Sequence, residues 1–327
     1  MAMVITVPAQ SRVSHGPRPI NLNKDIPQIL ELLQIAFGES LDAEGQRALQ
    51  GYYLPYAQPA ILWRLNPAAS RLSQGYVWEE DGRIVGNTTL LTTRLNGRYL
   101  IVNVAVHPDY RRQGIARLLM NAVTDHVRQR GGREILLQVD HNNSAALNLY
   151  ADLGYTNLGA VTSWTAAAGR VHALENNGSS DVRELRSREW RQAYKLDCLA
   201  LPPDLNWPEP IPDDAYRMGF WRRAANFANA RSNETWVMTD NQQQLTGLAS
   251  IWSEWGRAHQ LILRIDPKWA GELERPLLGK ALRRIPYLPR RNVRIDHPTS
   301  DQLTGELLRQ ANFRSQRTLI HMRLNLK

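Results

Sequence analysis

A chain of 327 residues, 43% of them hydrophobic and 22% charged, is long for one compact domain and comfortable as two, each able to bury its own core. Its formal charge of +9 suits an anionic partner such as a polyphosphate, but the basic residues are scattered along the chain, which argues against a nucleic-acid footprint. Cys198 is the only cysteine, so an intramolecular disulfide is excluded, a thiolate-held metal is disfavoured, and a reducing, cytoplasmic setting is expected; no stretch approaches the ~20 apolar residues of a membrane span, and no membrane association is expected.

Residues 1–17 read as a disordered leader. Ile26, Ile29, Leu30, Leu33 and Phe37 then recur at helical spacing until Gly38, predicting a first amphipathic helix. Positions 41–73 read as irregular to helical, with Tyr52, Tyr53, Tyr56 and Trp63 either packing a core or lining a substrate pocket. Strand patterns over 75–79 and 84–94 meet at Asp81-Gly82, and Asn96-Gly97 turns into a third strand over 99–106, an antiparallel meander. A helix over 114–130, the pair Gly131-Gly132 and a strand over 134–139 make a right-handed βαβ unit, so the third and fourth strands should run parallel. A helix over 142–153 and a strand over 161–167 follow, and the polar run around Asn176-Asn177-Gly178-Ser179-Ser180 reads as a linker.

The second half repeats the first in outline. Val106-His107-Pro108 aligns with Ile265-Asp266-Pro267, and Leu153-Gly154-Tyr155 aligns with Ala311-Asn312-Phe313 at nearly the same offset, which reads as a tandem duplication. Within the second half, the segment from Asn206 to Asp214 is proline-rich, aromatic and acidic, either a lid for a cationic substrate or a connector that packs Trp207.

The chemistry concentrates between Val104 and Tyr155. An apolar strand ends at Pro108, the basic loop Arg111-Arg112-Gln113-Gly114-Ile115-Ala116 follows, and a helix starts directly after it. A helix start leaves backbone N–H groups unpaired at the positive end of its dipole, so the N–H groups of Gln113 to Arg117 can cradle a pyrophosphate, with Arg112 and Arg117 adding charge. A residue larger than Gly114 would obstruct that approach. The plain alternative is a surface turn leading into a helix.

This stretch resembles the GCN5-related N-acetyltransferase (GNAT) superfamily. The family's loop pattern, Arg/Gln-x-x-Gly-x-Gly/Ala, is present as Arg111 to Ala116, followed in the family's order by Asn143-x-x-Ala146-Leu147-x-Leu149-Tyr150 and Leu153-Gly154-Tyr155. The resemblance covers residues 18–168 closely and 181–327 in outline. It implies an α/β fold with a mixed sheet: two tandem GNAT-like domains, each a mostly antiparallel sheet with a central parallel βαβ unit flanked by helices. The expected division is a leader 1–17, a catalytic domain 18–168, a linker 169–180 and a degenerate domain 181–327.

The resemblance also implies acetyl-CoA as the acyl donor, no metal and no covalent enzyme intermediate. It places the donor against Val104, Val106, Arg111, Arg112, Gln113, Gly114, Ile115, Ala116, Arg117, Asn143 and Tyr150. Main-chain groups of Val104 and Val106 would contact the acetyl and pantetheine groups, an N–H there polarising the thioester carbonyl. Tyr150 would protonate the departing thiolate, its plain alternative being a tyrosine half buried on a helix. Asn143 caps its helix, and by the resemblance also meets the pantetheine arm. Some peptide-acetylating members carry a glutamate base where this chain has Gln138, which cannot accept a proton at neutral pH; Asp140, His141, Glu79 and a water chain stay open for that role. In the second half, the loop position reads Ala270-Gly271-Glu272-Leu273-Glu274-Arg275, with Leu273 at the glycine position and Leu308 at the tyrosine position, so repulsion and crowding should exclude acetyl-CoA there. The implied activity is transfer of acetyl to a primary amine, of a small molecule or a protein, by direct attack in a ternary complex; the alternative is a non-catalytic acetyl-CoA-binding regulatory module. A monomer and a homodimer are both compatible with the sequence.

Overall fold

The structure, a computed structural model, describes residues 15–21, 24–38, 75–174, 181–207, 210–217, 219 and 231–326. Three readings therefore lie wholly or mostly outside the described residues: the leader up to position 14, the aromatics Tyr52, Tyr53, Tyr56 and Trp63, and the Asn176–Ser180 run. The chain divides into two compact units. Unit 1 comprises Met1–Leu137, Leu149–Tyr155 and Arg323–Lys327, and unit 2 comprises Gln138–Asn148 and Thr156–Met322.

Unit 1 is ordered by its antiparallel meander. Strands β1 (Gly16–Pro19), β2 (Gly75–Glu80), β3 (Arg83–Thr92) and β4 (Arg98–Val106) pair antiparallel in that order. Asp81 and Gly82 both take positive φ (49° and 80°), the twist-compatible two-residue hairpin that their residue types favour. The expected leader loses its last residues to β1, because the Arg18 guanidinium reaches Asp25 at 2.6 Å and Glu79 at 2.5 Å and pins Gly16–Pro19 along the edge of β2. Helix α1 (Ile26–Phe37) buries Ile26, Ile29, Leu30, Leu32 and Leu33 against Val77, Ile84 and Ala105, the stripe its spacing predicts. Helix α2 (Ile115–Gln129) crosses over to β5 (Glu134–Asp140), which runs parallel to β4 as the βαβ rule requires. Helix α3 (Ser144–Asp152) follows.

Unit 2 repeats the order with different partners. Strand β6 (Thr156–Ala167) starts five residues before the expected position, and is followed by α4 (Trp190–Ala200), β7 (Arg183–Glu184) preceding it in the chain, then β8 (Arg231–Thr239), β9 (Leu245–Glu254) and β10 (His259–Ile265). After them come α5 (Glu274–Arg284), β11 (Asn292–Pro298), α6 (Gln302–Gln310) and β12 (Arg314–Asn325). Along the sheet the order is β12, β6, β11, β10, β9, β8, β7. Strands β10 and β11 pair parallel, whereas β9 pairs antiparallel with both β8 and β10, and β6 pairs antiparallel with β11 from Val161↔Pro298 to Ala167↔Asn292. The core gathers Ile251, Leu261, Leu277, Leu278, Ile295 and Leu307 between the sheet and the faces of α5 and α6. Among the described residues, no helix is long and apolar enough to cross a membrane.

The same close helix approach recurs in both halves. A Cβ on Gly86 would lie 2.9 Å from Ile115 Cγ2 and 3.0 Å from Leu119 Cδ1, and one on Gly247 would lie 2.6 Å from Leu277 Cδ1. Gly86 stands opposite Val106, and Gly247 opposite Ile265, so each glycine lets the helix after the loop settle on the strand before it. We expect Gly86→Ala to lower stability by about 1–3 kcal/mol through overpacking, whereas Gly169→Ala, whose Cβ would meet nothing within 4 Å among the described residues, should stay within about 0.5 kcal/mol of wild type. Urea unfolding of the two variants checks this, and equal midpoints would contradict the close approach.

Candidate active site

The strand before the loop parts from its neighbour. Strands β4 and β5 pair from Arg98↔Glu134 to Ile101↔Leu137, and the register stops there although both strands continue. On the other side, β4 pairs with β3 through Thr89↔Val102 and Asn87↔Ala105, leaving Asn103 and Val104 opposite the single residue Thr88. Two residues facing one is a β-bulge. Asn103 takes φ +56° in it, a left-handed conformation that asparagine tolerates better than other non-glycine residues. The fully buried Asn87 donates from Nδ2 to the Asn103 carbonyl at 2.8 Å. Its Oδ1, and the Thr88 Oγ1, are buried without a hydrogen-bond partner among the described residues. Val104 and Val106 are half-buried, and the Val106 carbonyl accepts from Arg111 Nε at 3.3 Å, so that carbonyl is already engaged.

The loop that follows is exposed. A short 3-10 turn over Pro108–Tyr110 is followed by Arg112 at φ +65° and Gly114 at φ +81°, the latter being the N-cap of α2. No side chain caps this helix, and its first internal bond runs from Leu118 N–H to Gly114 O, so the N–H groups of Ile115, Ala116 and Arg117 have no intrahelical acceptor. Among the described residues, a Cβ on Gly114 would meet no atom within 4 Å. The left-handed φ, and not packing, calls for glycine here. Arg111, Arg112 and Gln113 are exposed around it, and Ile115 is buried beneath, in contact with the β3 side of the core. Arg117 donates to Asp152 at 2.8 Å, which ties its charge to the end of α3 rather than leaving it wholly to an anion.

On α3, Asn143 Oδ1 accepts the Ala146 N–H at 3.1 Å, confirming it as a helix cap. Tyr150 is 5% exposed, with its ring 5.9 Å from that of Tyr155, and its hydroxyl makes no hydrogen bond among the described residues. Burial pushes its phenol up to about 12. It therefore carries its proton throughout the neutral range, as an acid must. Gln138 donates to His321 Nε2 at 2.9 Å, and His321 Nδ1 faces the Asp204 carbonyl at 3.2 Å. Burial lowers the His321 pKa and keeps that ring neutral, which fits it accepting from Gln138 and donating to Asp204. Of the other groups considered as bases, Glu79 is held by Arg18, and Asp140 lies 3.5 Å from His141. Trp207 packs its ring 5.9 Å from that of His321, as a connector would, while Pro208 and Glu209 lie outside the described residues.

The corresponding place in unit 2 is built differently. Strands β10 and β11 pair only at His259↔Val293 and Gln260↔Arg294 before parting, and a cleft of about 480 Å³ lies at their far ends, lined among others by Leu263, Arg264, Glu274, His297 and Asp301. Helix α5 has Leu273 as N-cap at φ −102°, not a left-handed glycine. Both carboxylate oxygens of the buried Glu274 accept the Gly271 N–H, at 2.8 and 2.9 Å. The sequence suggested repulsion from the acidic residues; the finding is more direct, since a carboxylate of the chain already takes a loop N–H. Asp301 caps α6 as Asn143 caps α3; against a burial that would raise it, hydrogen bonds from His297 and Thr304 hold its carboxyl down at about 2. Leu308, at the Tyr150 position, is fully buried in the core.

Asn87, Asn103 and Asp152 were not singled out from the sequence. Asn103 does break the largely apolar run Tyr99-Leu100-Ile101-Val102-Asn103-Val104-Ala105-Val106, which is the one local signal that could have marked the bulge.

A family model described as the Acetyltransferase (GNAT) family matches residues 27–155. The ribosomal protein bS18-alanine N-acetyltransferase of Escherichia coli (strain K12) is 42% identical over 107 residues, 32% of this chain and 71% of that protein. Streptothricin acetyltransferase of Streptomyces lavendulae is 33% identical over 97 residues, 29% of this chain and 51% of that protein. Two solved structures share the fold along nearly the whole chain. A tandem GNAT protein from the clavulanic acid biosynthesis pathway has a TM-score of 0.52 at 15% identity, covering 95% of this chain and 98% of its own. A GCN5-related N-acetyltransferase from Sphaerobacter thermophilus has a TM-score of 0.58 at 14% identity, covering 94% and 95%.

The buried phenol sets a pH dependence. Its folded pKa of about 12 lies above the ~10 of a free tyrosine, so the stability from keeping Tyr150 neutral is complete below pH 10 and is lost as pH rises through 12. Thermal unfolding followed between about pH 9 and 12 should therefore show a steeper alkaline loss in wild type than in Tyr150→Phe. Equal slopes would contradict a buried, neutral phenol.

Proposed function

The chain belongs to the GNAT acetyltransferase family, and from that premise we propose that its first half transfers acetyl from acetyl-CoA to a primary amine by direct attack within a ternary complex. The observation that carries the proposal is the closeness in sequence of a bulged strand whose Val104 has no register partner and a helix start whose first three N–H groups have no intrahelical acceptor.

The chemistry follows from these parts. The N–H groups at the start of α2, with Arg112, hold the pyrophosphate of the donor. The Val104 N–H donates to the thioester oxygen, where negative charge develops as the amine nitrogen attacks the carbonyl carbon. The tetrahedral intermediate then collapses, the C–S bond breaks, and the Tyr150 hydroxyl gives its proton to the departing thiolate. Binding supplies the rest by holding both reactants in line. The amine loses a proton to solvent or a nearby base, and no metal or acyl-enzyme enters. For the acceptor, the two curated relatives offer a protein alanine in one case and streptothricin in the other, and a primary amine is the chemistry we carry to this chain.

The second half, on this reading, does not bind acetyl-CoA. Glu274 already takes the Gly271 N–H, and its charge would oppose a phosphate brought to the same loop. One observation favours a second reading, a non-catalytic acetyl-CoA-binding module: the position of a possible base is Gln138, and its amide is spent on His321.

Two measurements test the proposal. Titration of the full chain with acetyl-CoA should give one site per chain; two sites would contradict a silent second half. Acetyl transfer to a panel of primary amines should fall by about 10²–10⁴-fold in Tyr150→Phe, with the acetyl-CoA Kd changing by less than about threefold. No transfer by wild type to any amine, with binding intact, would favour the module.

A further inference from the structure

We infer that Asn87 is a positioning residue for acetyl transfer: its side-chain amide holds the Asn103–Val104 peptide so that the Val104 N–H is presented to the thioester carbonyl. The inference rests on the acetyl-CoA reading above and adds a residue to it.

The argument starts from peptide geometry. In a trans peptide the carbonyl of one residue and the N–H of the next point in opposite directions from a common plane. Fixing the Asn103 carbonyl therefore fixes the Val104 N–H, directed the other way. Within β4 that carbonyl would ordinarily be held by the ladder to β3, but the ladder skips here: Asn103 and Val104 have no register partner, and Asn103 has turned to φ +56°. Asn87 replaces the missing ladder bond with its own side chain, donating Nδ2–H to the Asn103 carbonyl at 2.8 Å and facing Thr89 Oγ1 at 3.3 Å. A carbonyl can only accept, so the amide nitrogen must face it, and the amide's orientation follows.

Asn87 is a costly way to do this. The residue is fully buried and its Oδ1 has no partner, a state that burial of a polar atom penalises. A strand position whose only duty was packing would be better served by an apolar side chain. What Asn87 supplies that an apolar residue cannot is a donor aimed at one carbonyl, and the peptide that carbonyl belongs to ends in the N–H assigned to the oxyanion. Unit 2 gives a contrast: β9 and β10 pair without interruption from Gln260↔Trp252 to Ile265↔Gly247, with no bulge and no equivalent side-chain bond.

The test reads the thioester carbonyl rather than the unidentified acceptor. Acetyl-CoA labelled with ¹³C at the carbonyl is bound to the full chain, and its infrared stretch is compared with that of free acetyl-CoA in wild type, Asn87→Asp and Asn87→Leu. In wild type the bound stretch should shift to lower frequency, as hydrogen bonding polarises the carbonyl. In both variants at least half of that shift should be lost, while the acetyl-CoA Kd stays within about threefold of wild type because the loop N–H groups are untouched. Asn87→Leu guards against a folding artefact: it removes the unpartnered Oδ1 along with the donor, so its Tm should stay within about 3 °C of wild type. A full wild-type shift retained in Asn87→Leu would overturn the inference. So would a wild-type complex with no shift, which leaves acetyl-CoA binding standing; failure of wild type to bind acetyl-CoA at all would instead remove the proposed function, and this inference with it.

Discussion

Everything that distinguishes the first half of this protein depends on β4 parting from β5 while remaining attached to β3. Backbone N–H and C=O groups in a sheet are obligatory hydrogen-bonding groups, and a strand that loses its neighbour must find other partners for them. Here the pairing with β5 ends at Ile101↔Leu137, and the bulge at Asn103 and Val104 follows within three residues. One carbonyl of the freed stretch is taken by Asn87 and another by Arg111, each a side chain brought in for the purpose. Val104, without a register partner, and the N–H groups at the start of α2, without intrahelical acceptors, then lie along one continuous segment of chain. A sheet that stayed fully paired would have had nothing to offer a ligand there.

The second half shows what the same topology looks like when those devices are withdrawn. It keeps the parallel pair, the glycine under the helix and the cap three residues before Thr304. It loses the left-handed glycine to Leu273, the phenol to Leu308, and the free loop N–H to Glu274. Packing positions and chemical positions have therefore separated. Gly86 and Gly247 answer to helix–sheet distance and are retained, whereas Gly114, a left-handed N-cap, has Leu273 at φ −102° as its counterpart.

Local features were legible in the sequence because local physics decides them. Asp81-Gly82 turns where two positive φ values are needed, the apolar stripe of α1 buries the residues its period marks, and Gly114 sits where a helix begins in the left-handed region. What the sequence did not show depends on residues far apart in the chain. Strand β6 follows directly on the first half yet pairs with β11, a choice made by tertiary packing and not by its own pattern. The Asn87–Asn103 bond joins two strands, and neither asparagine alone suggests it. Gly16 and Pro17 looked like leader because their β-pairing is stabilised by an Arg18–Glu79 contact across a long sequence separation. That the Glu274 carboxylate also accepts the Gly271 N–H is a matter of orientation that spacing cannot convey.

The central claim is that one continuous main-chain segment in the first half, and not its counterpart in the second, receives acetyl-CoA. Amide hydrogen exchange of the full chain with and without acetyl-CoA tests it most directly, because it reads the N–H groups themselves. The account predicts new protection at Val104 and from Gln113 to Arg117, with exchange over residues 265–275 unchanged. Protection appearing at 265–275, or absent at Val104 and the start of α2 while acetyl-CoA is bound, would contradict it.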